Sequence, residues 1–174
     1  MLNRTIAFAV GLVSLIVVPE SRGQFTGQWT TVASACVPDE ESTGKFIMEF
    51  GSFEFKLGAT GSVDARCNVT NPDDDGINPD WGTMEVTLND PDGAGAGSQI
   101  VVYLRRVHKV TGASADVHVF NSNLFAGGQG LRITNFNHVW DFANYAYNIA
   151  FSVRRNGTLT PRIQRVRLLV TPPG

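Results

Sequence analysis

The feature that most narrows the folds open to this chain is a period-two apolar pattern, repeated in short blocks with no helical counterpart. In the segment Ser98–Val107, Ile100, Val102 and Leu104 share one face of an extended chain, and Val101, Tyr103 and Val107 share the other. β-Branched and aromatic residues on both faces suit a central strand covered on two sides. Phe46, Met48 and Phe50 alternate, then Phe53, Phe55 and Leu57 take the opposite parity. A flip at Gly51 predicts a bulge or a tight hairpin there. Val63–Val69, Met84–Leu88, Tyr145–Val153 and Val166–Val170 repeat the alternation, and Trp29–Val37 reads as extended up to Pro38. Gly, Asn, Asp and Pro fill the connections, and no segment keeps a helical period over three turns. About nine short strands at regular spacing predict an all-β chain, a single antiparallel β-sandwich of the jelly-roll or Ig-like type.

The first 23 residues read as a signal peptide. Arg4 precedes the uncharged apolar run Ile6–Val18, Pro19 breaks it, and Ser21-Arg22-Gly23 sets small residues before Gln24. The run is short for a membrane span and no second one follows, so the chain after removal has no stable membrane span. Residues 24–174 then form one domain, destined for secretion or the cell envelope. Both cysteines, Cys36 and Cys67, lie in that exported part, and an even count outside a reducing compartment predicts one disulfide. They show neither C-x-x-C spacing nor a nearby histidine, which argues against a metal or redox role.

Charge is nearly balanced overall and unevenly placed. Between Gln24 and Ser98 thirteen acids face Lys45, Lys56 and Arg66, a net of −10; from Gln99 onward nine bases face Asp116 and Asp141, a net of +7. Two readings follow. Strands of the two halves interleave so that opposite charges meet, or the molecule is electrically polar and self-associates, helped by a loose arm before Trp29 that adds to a neighbour's sheet edge. An acidic exported chain is a poor nucleic-acid partner.

Cys36-Val-Pro-Asp39, Arg66-Cys-Asn-Val-Thr-Asn-Pro72, Leu104-Arg-Arg-Val107, Phe142-Ala-Asn-Tyr-Ala-Tyr147 and Arg165-Val-Arg-Leu-Leu169 resemble segments of small exported bacterial β-sandwich proteins of unassigned function. The resemblance implies export and the sandwich fold. It brings no active-site residues with it.

One loop has the composition of a metal site. Asn71, Asp73 and Asp75 with Gly76 occupy positions 1, 3, 5 and 6 of a calcium loop, where alternate oxygens converge and glycine permits the turn. Gly82 stands where the bidentate Glu of position 12 belongs, so Asp80 would have to complete a Ca2+ site by another path; Asx-rich turns share this composition without metal. His108, His118 and His138 lie on separate predicted strands without ligand spacing. There is no Gly-x-Ser-x-Gly elbow. Trp81, Trp140, Tyr103, Tyr145 and Tyr147 could make a flat platform for sugar rings; core is the expected place for all of them but Trp81, which follows a polar loop and is the expected exposed platform. These features point to an exported, non-catalytic structural or adhesive surface protein, self-associating or bound to a cell-surface partner. The alternative is a carbohydrate-binding module that meets a glycan through Trp81, steadied by calcium, and the third reading is a small secreted hydrolase.

Overall fold

The computed structural model describes residues 27–71 and 77–171. The signal segment 1–23, together with Asp73 and Asp75 of the acidic loop, lies outside the described residues. Among the described residues eleven strands occur in the order β1 (Trp29–Val32), β2 (Val37–Pro38), β3 (Phe46–Glu49), β4 (Ser52–Phe55), β5 (Gly61–Val69), β6 (Trp81–Asn89), β7 (Ser98–His108), β8 (Ser114–Asn121), β9 (Gln129–Asn135), β10 (Tyr145–Arg155) and β11 (Arg162–Val170). The excess over nine comes mainly from the N-terminal stretch. A 3-10 turn at Ala33–Ala35 breaks the expected single strand into β1 and β2, which then join different sheets.

The back sheet runs β3-β4-β11-β6-β9, with β1 also paired to β11, and the front sheet runs β2-β5-β10-β7-β8; every pairing is antiparallel. From β4 to β7 the chain changes sheet at every step, and it does so again from β8 through β11. This is jelly-roll connectivity, with each sheet built from strands distant in sequence. The middle strands are therefore β10 and β11, and β7 sits beside β10 rather than at the centre.

Period-two alternation holds within this frame. Ile100, Val102 and Leu104 of β7, Ile149, Phe151 and Val153 of β10, and Val63, Ala65 and Cys67 of β5 all face inward and are buried. Opposite them stand Met84, Val86 and Leu88 of β6 and Ile163, Val166 and Leu168 of β11. The other side of β7 is not covered: Val101, Tyr103 and Val107 are half-exposed on the open front face. In a two-layer sandwich each sheet has one covered side, so an apolar outer face carries a different meaning from a second core.

The parity flip at Gly51 is a tight hairpin. Glu49 pairs with Ser52, and the two residues between, Phe50 and Gly51, have φ of 49° and 83°. A type I′ turn requires positive φ at both central positions, which suits Asn-Gly and not Phe-Gly. Phe50 is fully solvent-exposed. Replacing it by asparagine removes steric conflict in the left-handed region without loss of buried area. Phe50→Asn is expected to raise stability by roughly 0.5–1 kcal/mol, read from urea midpoints.

Cys36 and Cys67 are bonded, with Cα atoms 4.6 Å apart and a separation of 31 positions in sequence. The bridge ties the short segment entering β2 to the inner face of β5. Chain-entropy reasoning puts its contribution at about 3–4 kcal/mol. Reduction, or Cys67→Ser, is expected to lower the urea-unfolding free energy by about that amount; an unchanged midpoint contradicts it.

Candidate functional site

Small residues at the middle of the front sheet create a trough. Ala150 of β10 is the cross-strand partner of both Arg66 on β5 and Tyr103 on β7, and Ser152 is the partner of Asp64 and Val101. A short side chain between two long ones leaves a depression, and strands about 4.8 Å apart set its walls about 10 Å from each other. The resulting cavity, about 370 Å³, is lined by Tyr103, Arg105, Ala150, Ser152, Asp64, Arg66 and Asp39. It continues over the edge of β5 into a shallower acidic depression of about 920 Å³ that shares Asp39, Asp64 and Arg66 and adds Glu40, Glu41 and Asn68.

Ion pairs hold the walls. Arg66 donates from Nε and NH2 to Asp39 Oδ1 at 3.0 and 2.8 Å. Arg105 donates to Asp116 Oδ1 at 2.6 Å and places its guanidinium 4.5 Å from the centre of the Tyr103 ring. Exposed pairs of this kind contribute little to stability, at most about 1 kcal/mol each. Their effect is to orient donors and acceptors at the rim. The trough thus combines one aromatic ring, a smooth small-residue floor, and hydrogen-bonding groups of both signs.

The sequence-predicted site residues are distributed differently. Trp81 is interior: it is 1% exposed, packs edge-to-face on Trp140 at 5.1 Å, and donates its indole N–H to Gly27 O at 2.7 Å. It offers no face to a ligand. The cause is a bulge, since Leu169 and Val170 pair with Thr83 and Trp81, which leaves Gly82 as an extra residue. That extra residue shifts the parity, turning Trp81 inward with Met84. A side chain at Gly82 would be crowded, because a Cβ there would approach the Phe136 carbonyl to 3.1 Å and require the Thr171 hydroxyl to move. Asn71 donates to Ile77 O at 3.2 Å, and Asp80 is exposed just before β6. Tyr103, which sequence reading grouped with the aromatics of the core, is the one that lines the trough. Its signal was available: it shares parity with Val101 and opposes the buried set Ile100, Val102 and Leu104.

No family model matches the chain, and no curated protein matches it. Among solved structures, the xylan-binding module CBM15 is similar over 85% of this chain and 100% of that one, at 12% identity and a TM-score of 0.47. A family 11 carbohydrate-binding module from Clostridium thermocellum, in complex with a β-1,3-1,4-mixed-linked tetrasaccharide, is similar over 90% and 96%, at 10% identity and a TM-score of 0.38. A family two carbohydrate esterase from Cellvibrio japonicus is similar at 13% identity and a TM-score of 0.41; the match covers 83% of this chain and only 34% of the esterase chain. Similarity this distant assigns no ligand, activity or residue role to the present chain.

The histidines lie away from the trough. His108 Nδ1 accepts from Val110 and Thr111 N–H in the turn after β7. His118 bonds Thr134 at 2.8 Å across the gap between β8 and β9, and His138 bonds the Tyr147 hydroxyl at 3.0 Å. Burial holds both of these imidazoles below the ordinary value, and for His138 the charge of Arg106 adds to the effect. A lowered folded pKa means that the unfolded chain binds the proton more readily. This share of stability is present above pH about 6.5 and is lost as pH falls from there toward the folded value. His118→Gln keeps a hydrogen-bonding group but cannot titrate, so the fall in urea midpoint between pH 7.5 and 5 is expected to be shallower in that variant than in the parent.

Proposed function

We propose that this chain is an exported, non-catalytic β-sandwich that binds an oligosaccharide across the open front sheet, in the trough beside Tyr103. The observation that carries the reading is that trough: an aromatic ring standing next to the Ala150–Ser152 floor, with Arg66, Asp64, Asp39 and Arg105 around it. A pyranose presents an apolar C–H face and a ring of hydroxyls. The first is complementary to an aromatic face, and the second to convergent carboxylate, guanidinium and hydroxyl groups. A trough that runs on into a neighbouring depression accepts a chain rather than a single enclosed sugar. A disulfide suits an oxidising exterior, in line with export directed by residues 1–23.

Hydrolysis is the less supported reading. Among the described residues none of the three histidines lines the trough, and one of its two carboxylates, Asp39, is tied to Arg66. Adhesion through exchange of the N-terminal arm is also less supported. Gly27 accepts from the Trp81 indole and Gln28 meets Arg167, so the described part of the arm is held by its own chain.

Titration calorimetry against neutral xylo-, cello- and mixed-linkage oligosaccharides tests the proposal. Binding in the micromolar-to-millimolar range is expected for at least one of them. Tyr103→Ala should weaken it at least tenfold, and Ala150→Trp, which fills the trough, should abolish it while both variants keep the parent's cooperative unfolding. Absence of binding across the panel, or binding untouched by both substitutions, overturns the reading.

A further inference from the structure

At the end of the sandwich away from the acidic loop, the connection between β6 and β7 folds two carboxylates into a polar pocket. Asp90 is 1% exposed, and its Oδ2 has no hydrogen-bond partner among the described residues. Its Oδ1 meets Ser98 Oγ, and the same hydroxyl meets Asp92 Oδ1. One hydroxyl carries one hydrogen, so it can donate to only one of the two carboxylates. Asp92 is otherwise fixed by the backbone, accepting from Gly97 N at 2.7 Å and from Ser98 N at 3.1 Å. Ser122 Oγ lies against the same strand start, accepting from Ile100 N at 2.8 Å. Neither carboxylate is in an ion pair among the described residues.

Two carboxylates in this setting need a compensating positive charge. A buried, half-unsatisfied carboxylate is costly, and a second one beside it makes ionisation of both costlier still. The backbone around them is built for close approach. Asp90 N donates to Gly128 O, and a Cβ on Gly128 would run into the Asp90 carbonyl. A Cβ on Gly93 would lie 2.6 Å from Ala126 O. Backbone carbonyls of the segment before β9 therefore pack directly on the Asp90–Gly93 turn.

We propose that Asp90, Asp92 and Ser98, with Ser122 beside them, form a calcium site that clamps the β6–β7 connection onto the segment leading to β9. The donor set is all oxygen and includes two carboxylates, which selects a hard divalent cation. Ca2+ tolerates the irregular geometry of side-chain and carbonyl oxygens that Mg2+ resists. Asp90 Oδ2, buried and without a hydrogen-bond partner among the described residues, is the oxygen most open to a cation. This site is separate from the Asn71–Asp80 loop and does not depend on the glycan-binding reading.

The test uses the purified protein stripped with EDTA and titrated with CaCl2, followed by calorimetry and by thermal unfolding, with MgCl2 in parallel. Saturable calcium binding with a Tm rise of several degrees is expected, and magnesium should be at least tenfold weaker. Asp90→Asn and Asp92→Asn should abolish the calcium response; Ser98→Ala, a milder change, should weaken affinity at least fivefold. Asp73→Asn with Asp75→Asn should leave the response in place. A parent protein with no calcium heat and no Tm shift, or one whose Tm rises only on acidification, overturns the proposal, because the pair then shares a proton. So does binding that survives all three pocket substitutions or disappears with the Asp73 and Asp75 pair.

Discussion

The structure depends on the burial of two sheet faces against each other, and those faces are incomplete until the last two strands are in place. β10 and β11 occupy the middle of the front and back sheets, and each is hydrogen-bonded on both sides. Nearly all the inward-facing residues of both are fully buried. Without them, β5 and β6 would each lack the neighbour that covers their ladder groups, and the inner aromatics Phe53 and Phe151, 5.1 Å apart across the interior, would not meet. Long-range pairing of this type favours a cooperative transition and slow folding.

The same topology accounts for the charge pattern. Basic β11 inserts between strands from the acidic first half, so Arg165 and Arg167 converge on the buried Glu85 of β6 at 3.1 and 2.9 Å, and Arg162 lies 4.0 Å from Glu54 of β4. Charge segregated along the sequence is mixed in space. A carboxylate as buried as Glu85 is tolerated because two guanidiniums face it, and removing either would leave the burial cost partly uncompensated. Strand interleaving thus brings part of the segregated charge together within one molecule.

Where side chains leave the core, the two sheets differ. The back sheet's outer surface carries that arginine row and its acidic partners. The front sheet has alanine and serine on its middle strand, and a surface that would otherwise be level acquires a trough. The candidate site thus arises from what β10 lacks, on a rigid central strand flanked by long side chains from β5 and β7. Rigid placement matters for a weak ligand, since little ordering cost remains to be met on binding.

Much of the fold was legible because alternation is a local property. Strand positions from Phe46 to Val170, the flip at Gly51 and the pairing of Cys36 with Cys67 follow from parity, turn chemistry and cysteine count. The site was less legible, and Trp81 shows why: a bulge at Gly82 shifts parity by one residue, and that bulge exists only in the pairing of β6 with β11, more than eighty positions away. Tyr103 shows the converse, an outward residue on an apolar strand whose partner Ala150 matters only once β7 and β10 are neighbours. By itself the sequence determined which residues alternate, where the chain turns, and that one covalent bridge was available. Tertiary structure alone decided which face of each strand is covered, which aromatics reach solvent, and which distant small residues align into a trough, because those outcomes depend on strand neighbours that local pattern does not specify.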